Sequence, residues 1–153
     1  MSRVRSVMVV LRATRKLHGA LLPVKNPGSS DTALGDWYVN RLVVDKRPLL
    51  LLISSISLLP ILLPARDVRT MPHRLTDIVA FRLARLGIAA SLVARETAAM
   101  NPVAIGAATD RSVLGIMVDF AKSVPYYVEV ASPPHRMSSS RMAAPQLLAR
   151  KSA

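Results

Sequence analysis

The stretch from Pro48 to Pro64, Pro-Leu-Leu-Leu-Leu-Ile-Ser-Ser-Ile-Ser-Leu-Leu-Pro-Ile-Leu-Leu-Pro, holds no charged residue, so any fold of this chain must bury it. Its length sits at the lower edge of a membrane-spanning helix. Three features argue against a span: the interior Pro60, the Ser54-Ser55-Ile56-Ser57 interruption, and basic residues on both flanks, which leave no inside–outside asymmetry. Two buried strands joined by a Ser-rich turn, Leu49–Ile53 and Leu58–Leu63, account for the same residues, because short continuous apolar runs are typical of strands covered on both faces. No transmembrane span is expected.

The rest of the composition fits a packed core. Of 153 residues, 51% are hydrophobic but only 4% are aromatic, so the interior must be built from Leu, Val, Ile and Ala. The length gives room for one domain of ordinary size. The absence of cysteine removes disulfides, Cys-based zinc sites and thiol catalysis. His18, His73 and His135 have no ligand-like spacing, and neither a metal site nor a cofactor is expected. Near the start, Arg3 and Arg5 precede an apolar run of only five residues, Val7–Leu11, which Arg12 interrupts. That run is too short for an export signal, and the expected location is cytoplasmic.

Charge is concentrated at the ends. Lys and Arg number 21 against nine Asp and Glu, a net charge of +12. Arg3, Arg5, Arg12, Arg15 and Lys16 near the start, and Arg136, Arg141, Arg150 and Lys151 near the end, lie in segments without an acidic residue. Such ends attract phosphate-rich polymers at low salt, which makes these nine residues candidate phosphate contacts. They lack the dense basic runs of dedicated nucleic-acid arms, and solvated tails explain them as well.

Periodicity places the elements. Val7–Arg12 reads as a strand, and Thr14–Leu17 as the start of a helical turn. Residues 23–33 contain Pro23, Pro27, Gly28, Ser29 and Ser30, which is the chemistry of a mobile loop. Alternation from Trp37 and the apolar run predict an antiparallel meander with strands at about 37–45, 48–53 and 57–63. Leu75, Ile78, Val79, Leu83 and Leu86 then recur at helical spacing up to Gly87. A second helix follows over 89–100, closed by Asn101-Pro102, and then a strand over Val103–Ala107. Arg111 or Ser112 opens a third helix through about Ser123, with Ser112 as a candidate N-cap. Tyr126–Val130 reads as a short strand or extended tail, and the Pro- and Ser-rich remainder as disordered.

Thr14-Arg15-Lys16-Leu17, Leu34-Gly35-Asp36-Trp37-Tyr38-Val39-Asn40 and Asp110-Arg111-Ser112-Val113-Leu114-Gly115-Ile116-Met117-Val118-Asp119-Phe120 together resemble, in the same order, a family of small bacterial proteins carrying a domain of unknown function. Members of that family look like Thr-x-Lys-Leu, Gly-Asp-Trp-Tyr-Ala-Asn and Asn-Arg-Ser-Val-Leu-Gly-Ser-Met-Asn-Asp. The chain departs from this pattern at Asp110, Ile116 and Val118, where the family has Asn, Ser and Asn. The resemblance implies a bacterial origin and no particular activity.

The same motifs supply the candidate ligand or partner patch: Asp36, Tyr38, Asn40, Arg111, Ser112 and Asp119. On a strand Asp36, Tyr38 and Asn40 share one face, a carboxylate, a phenol and an amide. Arg111 and Asp119 flank a helix with Asp110 or Ser112 at its N-terminus, and an anion is a candidate ligand there. The bland alternatives are turn chemistry at Gly35-Asp36, packing at Trp37 and surface ion contacts at Arg111 and Asp119. No phosphate loop, nucleophile elbow or dinucleotide fingerprint is present, and no catalytic residue is assigned.

The expected architecture is a single α+β domain, a mainly antiparallel sheet of about four to six strands packed by two or three helices on one face. A basic tail at 1–6 precedes the domain at 7–131, and a basic disordered tail follows at 132–153. The expected role is non-enzymatic, an interaction or regulatory protein that binds another macromolecule. A nucleic-acid-binding protein using the basic ends is the alternative, and a small enzyme with a site near Asp36 and Asp119 is a third.

Overall fold

The computed structural model describes the backbone of residues 8–131 and the side chains of residues 8–123. The expected tails at 1–6 and 132–153 lie outside the described residues. The chain divides into two compact units, one ending at Met117 and the other starting at Val118, and the sheet belongs to the first.

The fold is α+β. In chain order the elements are β1 (Val9–Ala13), α1 (His18–Leu21), β2 (Trp37–Val44), β3 (Arg47–Ser54), β4 (Pro60–Pro64), α2 (Met71–Arg85), α3 (Ala90–Ala98), β5 (Val103–Ala107) and α4 (Arg111–Ala131), with 3-10 turns at Arg15–Leu17 and Ala65–Asp67. The strands form one mixed sheet in the order β4-β3-β2-β1-β5. The expected meander is present as β2, β3 and β4, antiparallel throughout, with Val39 opposite Leu52 and Leu52 opposite Ile61. β1 is different, because it pairs in parallel with both neighbours, Leu11 opposite Trp37 on one side and Ile105 on the other.

Local chemistry sets the boundaries. Asp45 and Lys46 have φ of 51° and 66°, the paired positive values of a tight hairpin turn whose twist matches that of the strands, and β3 therefore starts at Arg47. The next turn is longer than expected and delays β4 to Pro60. Ser54 holds it, since its Oγ accepts from the Ser57 amide at 3.1 Å and donates to the Leu34 carbonyl at 2.6 Å. Helix α2 stops where Gly87, at φ 83°, allows the Ile88 amide to reach the Leu83 carbonyl and the Gly87 amide to reach that of Ala84. That is a Schellman ending, available at little cost because glycine has no Cβ.

The apolar run becomes the middle of the sheet. Leu50, Leu51, Leu52 and Ile53 are all buried, which requires cover on both faces. On one face Val9, Leu11, Ala13, Trp37, Val39, Leu50 and Leu52 pack against Met71, Leu75, Val79 and Leu83 of α2, with Leu17 and Leu21 closing the end beside α1. Each such side chain contributes about 1.5–3 kcal/mol of burial energy. The Trp37 indole N–H has no partner in this core. On the other face Val10, Tyr38, Leu51 and Ile53 are equally enclosed. There the Asp110 amide, at the head of α4, donates to the Tyr38 hydroxyl, and Val113 and Met117 from the next turns are buried outside the first core. A sheet whose middle strand is apolar on both faces needs cover on both.

Two further readings change. Tyr126–Val130 belongs to α4, which runs on past Pro125 to Ala131, and is not a strand. The Pro- and Gly-rich segment 23–33 has no helix or strand, as its composition indicates, and is bonded to the sheet at several points. The Val24 amide donates to the Ile105 carbonyl, the Asp31 amide to that of Met8, and the Val10 amide to Ser30 Oγ. The end of this segment is held by Glu96 of α3, a buried carboxylate that accepts from the amides of Ala33 at 3.0 Å and Leu34 at 3.2 Å.

Removing Glu96 leaves two amides without an acceptor. Glu96→Ala is expected to lower unfolding free energy by about 2–3 kcal/mol, whereas Arg95→Ala, on the exposed side of the same helix, stays within about 0.5 kcal/mol, both read by urea denaturation.

Candidate functional site

The three motifs of the sequence meet at one end of the sheet. Asp36 lies just before β2, so its carboxylate faces β1 across the parallel ladder. Its Oδ2 accepts from Arg12 Nε at 2.9 Å, and its Oδ1 accepts from Ser30 Oγ at 2.6 Å. Arg12 Nη1 continues to the carbonyl of Ala107, the last residue of β5, at 3.3 Å. The pair is mostly shielded, with the two side chains 17% and 20% exposed. One carboxylate and one guanidinium thus tie β1, the 23–33 segment, the start of β2 and the end of β5.

Two further bonds complete the junction. Thr14 Oγ1 donates to Asn40 Oδ1 at 2.6 Å, joining the first motif to the second. The Asp110 amide donates to the Tyr38 hydroxyl at 3.1 Å, joining the third to the second. Asp110 also caps α4, its Oδ1 accepting from the amides of Ser112 at 2.8 Å and Val113 at 3.3 Å. The cap is therefore Asp110 and not Ser112, since a carboxylate one residue before the helix reaches the free amides first. It also occupies, with its own negative charge, the amides an anion at Ser112 would have used.

The expected patch is thus distributed. Asp36, Tyr38 and Asn40 are engaged in the bonds just described, and Tyr38 is buried. Arg111, Ser112 and Asp119 are exposed on α4. Of the candidate phosphate contacts, Arg12 is balanced by Asp36, while Arg15 and Lys16 are exposed, with Lys16 Nζ donating to the Arg41 carbonyl. Arg3, Arg5, Arg136, Arg141, Arg150 and Lys151 lie outside the described residues. No His, Asp or Glu among the described residues gathers with two others as metal ligands would. Among those residues no helix is long and apolar enough to cross a membrane.

Sequence reasoning missed a surface at the tip of the α2–α3 hairpin. Residues 84–92 are exposed without a break, and Phe81 (60% exposed), Leu86, Ile88 and Leu92 present large apolar side chains there. Arg85 lies over the Phe81 ring, 5.8 Å from its centre. Burial, and then the charge of Arg85, hold Arg82 below its ordinary pKa. Among the described residues no carboxylate pairs with Arg82, Arg85 or Arg95. A signal was available in the sequence, because Leu86, Ile88 and Leu92 surround Gly87, the helix end, where apolar residues have no core to enter.

The junction makes a separable prediction. Asp36→Asn is expected to cost about 2 kcal/mol of stability, and a double-mutant cycle with Arg12→Gln to return a coupling above about 1 kcal/mol, as a shielded charge-assisted pair requires. A coupling near zero would show that the pair contributes nothing.

Comparison with curated proteins and with solved structures finds no significant match. A family model does match, over residues 10–147, and it therefore takes in all of the junction from Arg12 to Asp110. The chain belongs to the family described as Domain of unknown function (DUF6933).

Proposed function

We propose that the protein is a non-enzymatic interaction protein of the bacterial cytoplasm, regulatory in role, that binds another protein through the tip of the α2–α3 hairpin. The observation that carries this reading is the unbroken exposure of residues 84–92 with Phe81, Leu86, Ile88 and Leu92 at the surface. Exposing four large apolar side chains together costs hydration free energy that burial against a partner recovers. Arg82, Arg85 and Arg95 border them, and among the described residues no carboxylate pairs with these arginines, so the matching surface is apolar at its centre and acidic at its rim. The junction carboxylates support a non-catalytic reading. Asp36 and Asp110 are both engaged as acceptors within the fold, which accounts for each by a structural role.

The test compares the full-length chain with a variant carrying Phe81→Asp and Leu92→Asp. Both positions are exposed, so the variant is expected to keep the wild-type melting temperature within a few degrees. Cross-linked capture from the source cell should recover a protein in stoichiometric amount with the wild type and lose it with the variant. Capture of the same proteins by both sinks the tip as the interface. Capture of nucleic acid instead, abolished by about 0.5 M salt, would transfer the role to the basic ends.

A further inference from the structure

Because β1 and β5 run parallel, their carboxyl ends lie side by side, Ala13 opposite Ala107. The chain leaves them toward opposite faces. From β1 it enters the turn and helix whose Leu17 and Leu21 join the core beneath α2. From β5 it enters α4, whose head bonds Tyr38 on the other side. Where two adjacent strands send their connections apart, a crevice opens beyond the strand ends, and sheets of this type use that crevice for ligands. Here it is a groove of about 690 Å³, within the roughly 300–1,000 Å³ of small-ligand sites.

Its walls have a consistent chemistry. Arg12 comes from β1, His18 from α1, Lys25 and Asn26 from the 23–33 segment, and Ala107 and Thr109 from the end of β5 and just beyond. Among the described residues no carboxylate lines it. The segment crosses close to the sheet because Gly106 has no side chain: a Cβ there would lie 2.5 Å from the Pro27 ring and 3.2 Å from Arg12 Nη1. Asp36 and the Ala107 carbonyl engage Nε and Nη1 of Arg12 and fix the guanidinium in the wall. Asp36 balances the Arg12 charge, so the uncompensated cation of the groove is Lys25.

We infer that this groove binds a small molecule bearing a phosphate group. His18 is tied back through Nε2 to the Ala13 carbonyl, and Arg12 through Nε and Nη1, so the donor groups left in the lining are Arg12 Nη2, the Lys25 ammonium with the neighbouring Asn26 amide, and the Thr109 hydroxyl. A planar carboxylate is best held by a two-pronged arginine fork, and two of the three Arg12 nitrogens are already engaged, Nε by Asp36 and Nη1 by the Ala107 carbonyl. A tetrahedral anion with several oxygens accepts from many directions and suits a dispersed donor set. This site is independent of the hairpin tip.

The probes are inorganic phosphate and adenosine monophosphate, titrated into the full-length protein while the backbone amides of Lys25, Asn26, Gly28 and Thr109 are followed by NMR. Saturable shifts confined to these residues are expected with both. Tighter binding of the nucleotide would show that the organic part is held, and equal binding that the phosphate alone is. Lys25 is exposed and its side chain makes no framework bond, so Lys25→Gln is expected to fold as the wild type and to weaken binding about tenfold. Shifts reproduced by sodium chloride at matched ionic strength, or an unchanged phosphate titration in Lys25→Gln, would overturn the site.

Discussion

A five-residue strand bounded on both sides by parallel neighbours governs this fold. β1 has no tight-turn route to either partner, because parallel strands require the chain to travel back to the starting end. The passage from Ala13 to Trp37 must therefore cross the end of the sheet, and it does so through α1 and the 23–33 segment. The return to the other side of β1 needs the two helices α2 and α3. Both crossovers end as pieces of the sheet's surroundings, and the groove, the polar junction and the exposed hairpin tip all follow from the need to make them.

The polar residues at the junction solve a problem of register. β2 begins opposite Leu11, so the first half of β1 has no strand beside it on that edge. Ser30 and Asp31 stand in for the missing strand, with Ser30 Oγ taking the Val10 amide and the Asp31 amide meeting the Met8 carbonyl. Asp36 then secures Ser30 and Arg12 together. Residues that look like chemistry in one dimension are, in three, the fasteners of a crossover.

The parts of the fold that depend on local pattern were legible. Alternation and the uncharged run gave the meander, the spacing from Leu75 to Leu83 gave α2, and Gly87 marked its end. What depended on partners far along the chain was not. A strand such as Val9–Ala13 carries no mark of the direction its neighbours will run, and nothing near Arg12 announces a carboxylate 24 residues away. Glu96 is a sharper case: an acidic residue amid helix formers reads as surface, yet it is 8% exposed because two loop amides supply the solvation water would have given. The cap at the head of α4 stayed open between Asp110 and Ser112 for a smaller reason, since two competent capping residues stand two positions apart.

Both lateral borders of the sheet carry obstacles to further pairing. On one side β4 starts and ends with proline, which offers no N–H, and Arg82 Nε donates to the Pro60 carbonyl. On the other side the Val24 amide already occupies the Ile105 carbonyl of β5. Each border is thus hindered from pairing with an extended segment of another molecule. What these borders present is side-chain shape and charge, which differ from protein to protein, in place of backbone groups common to every polypeptide.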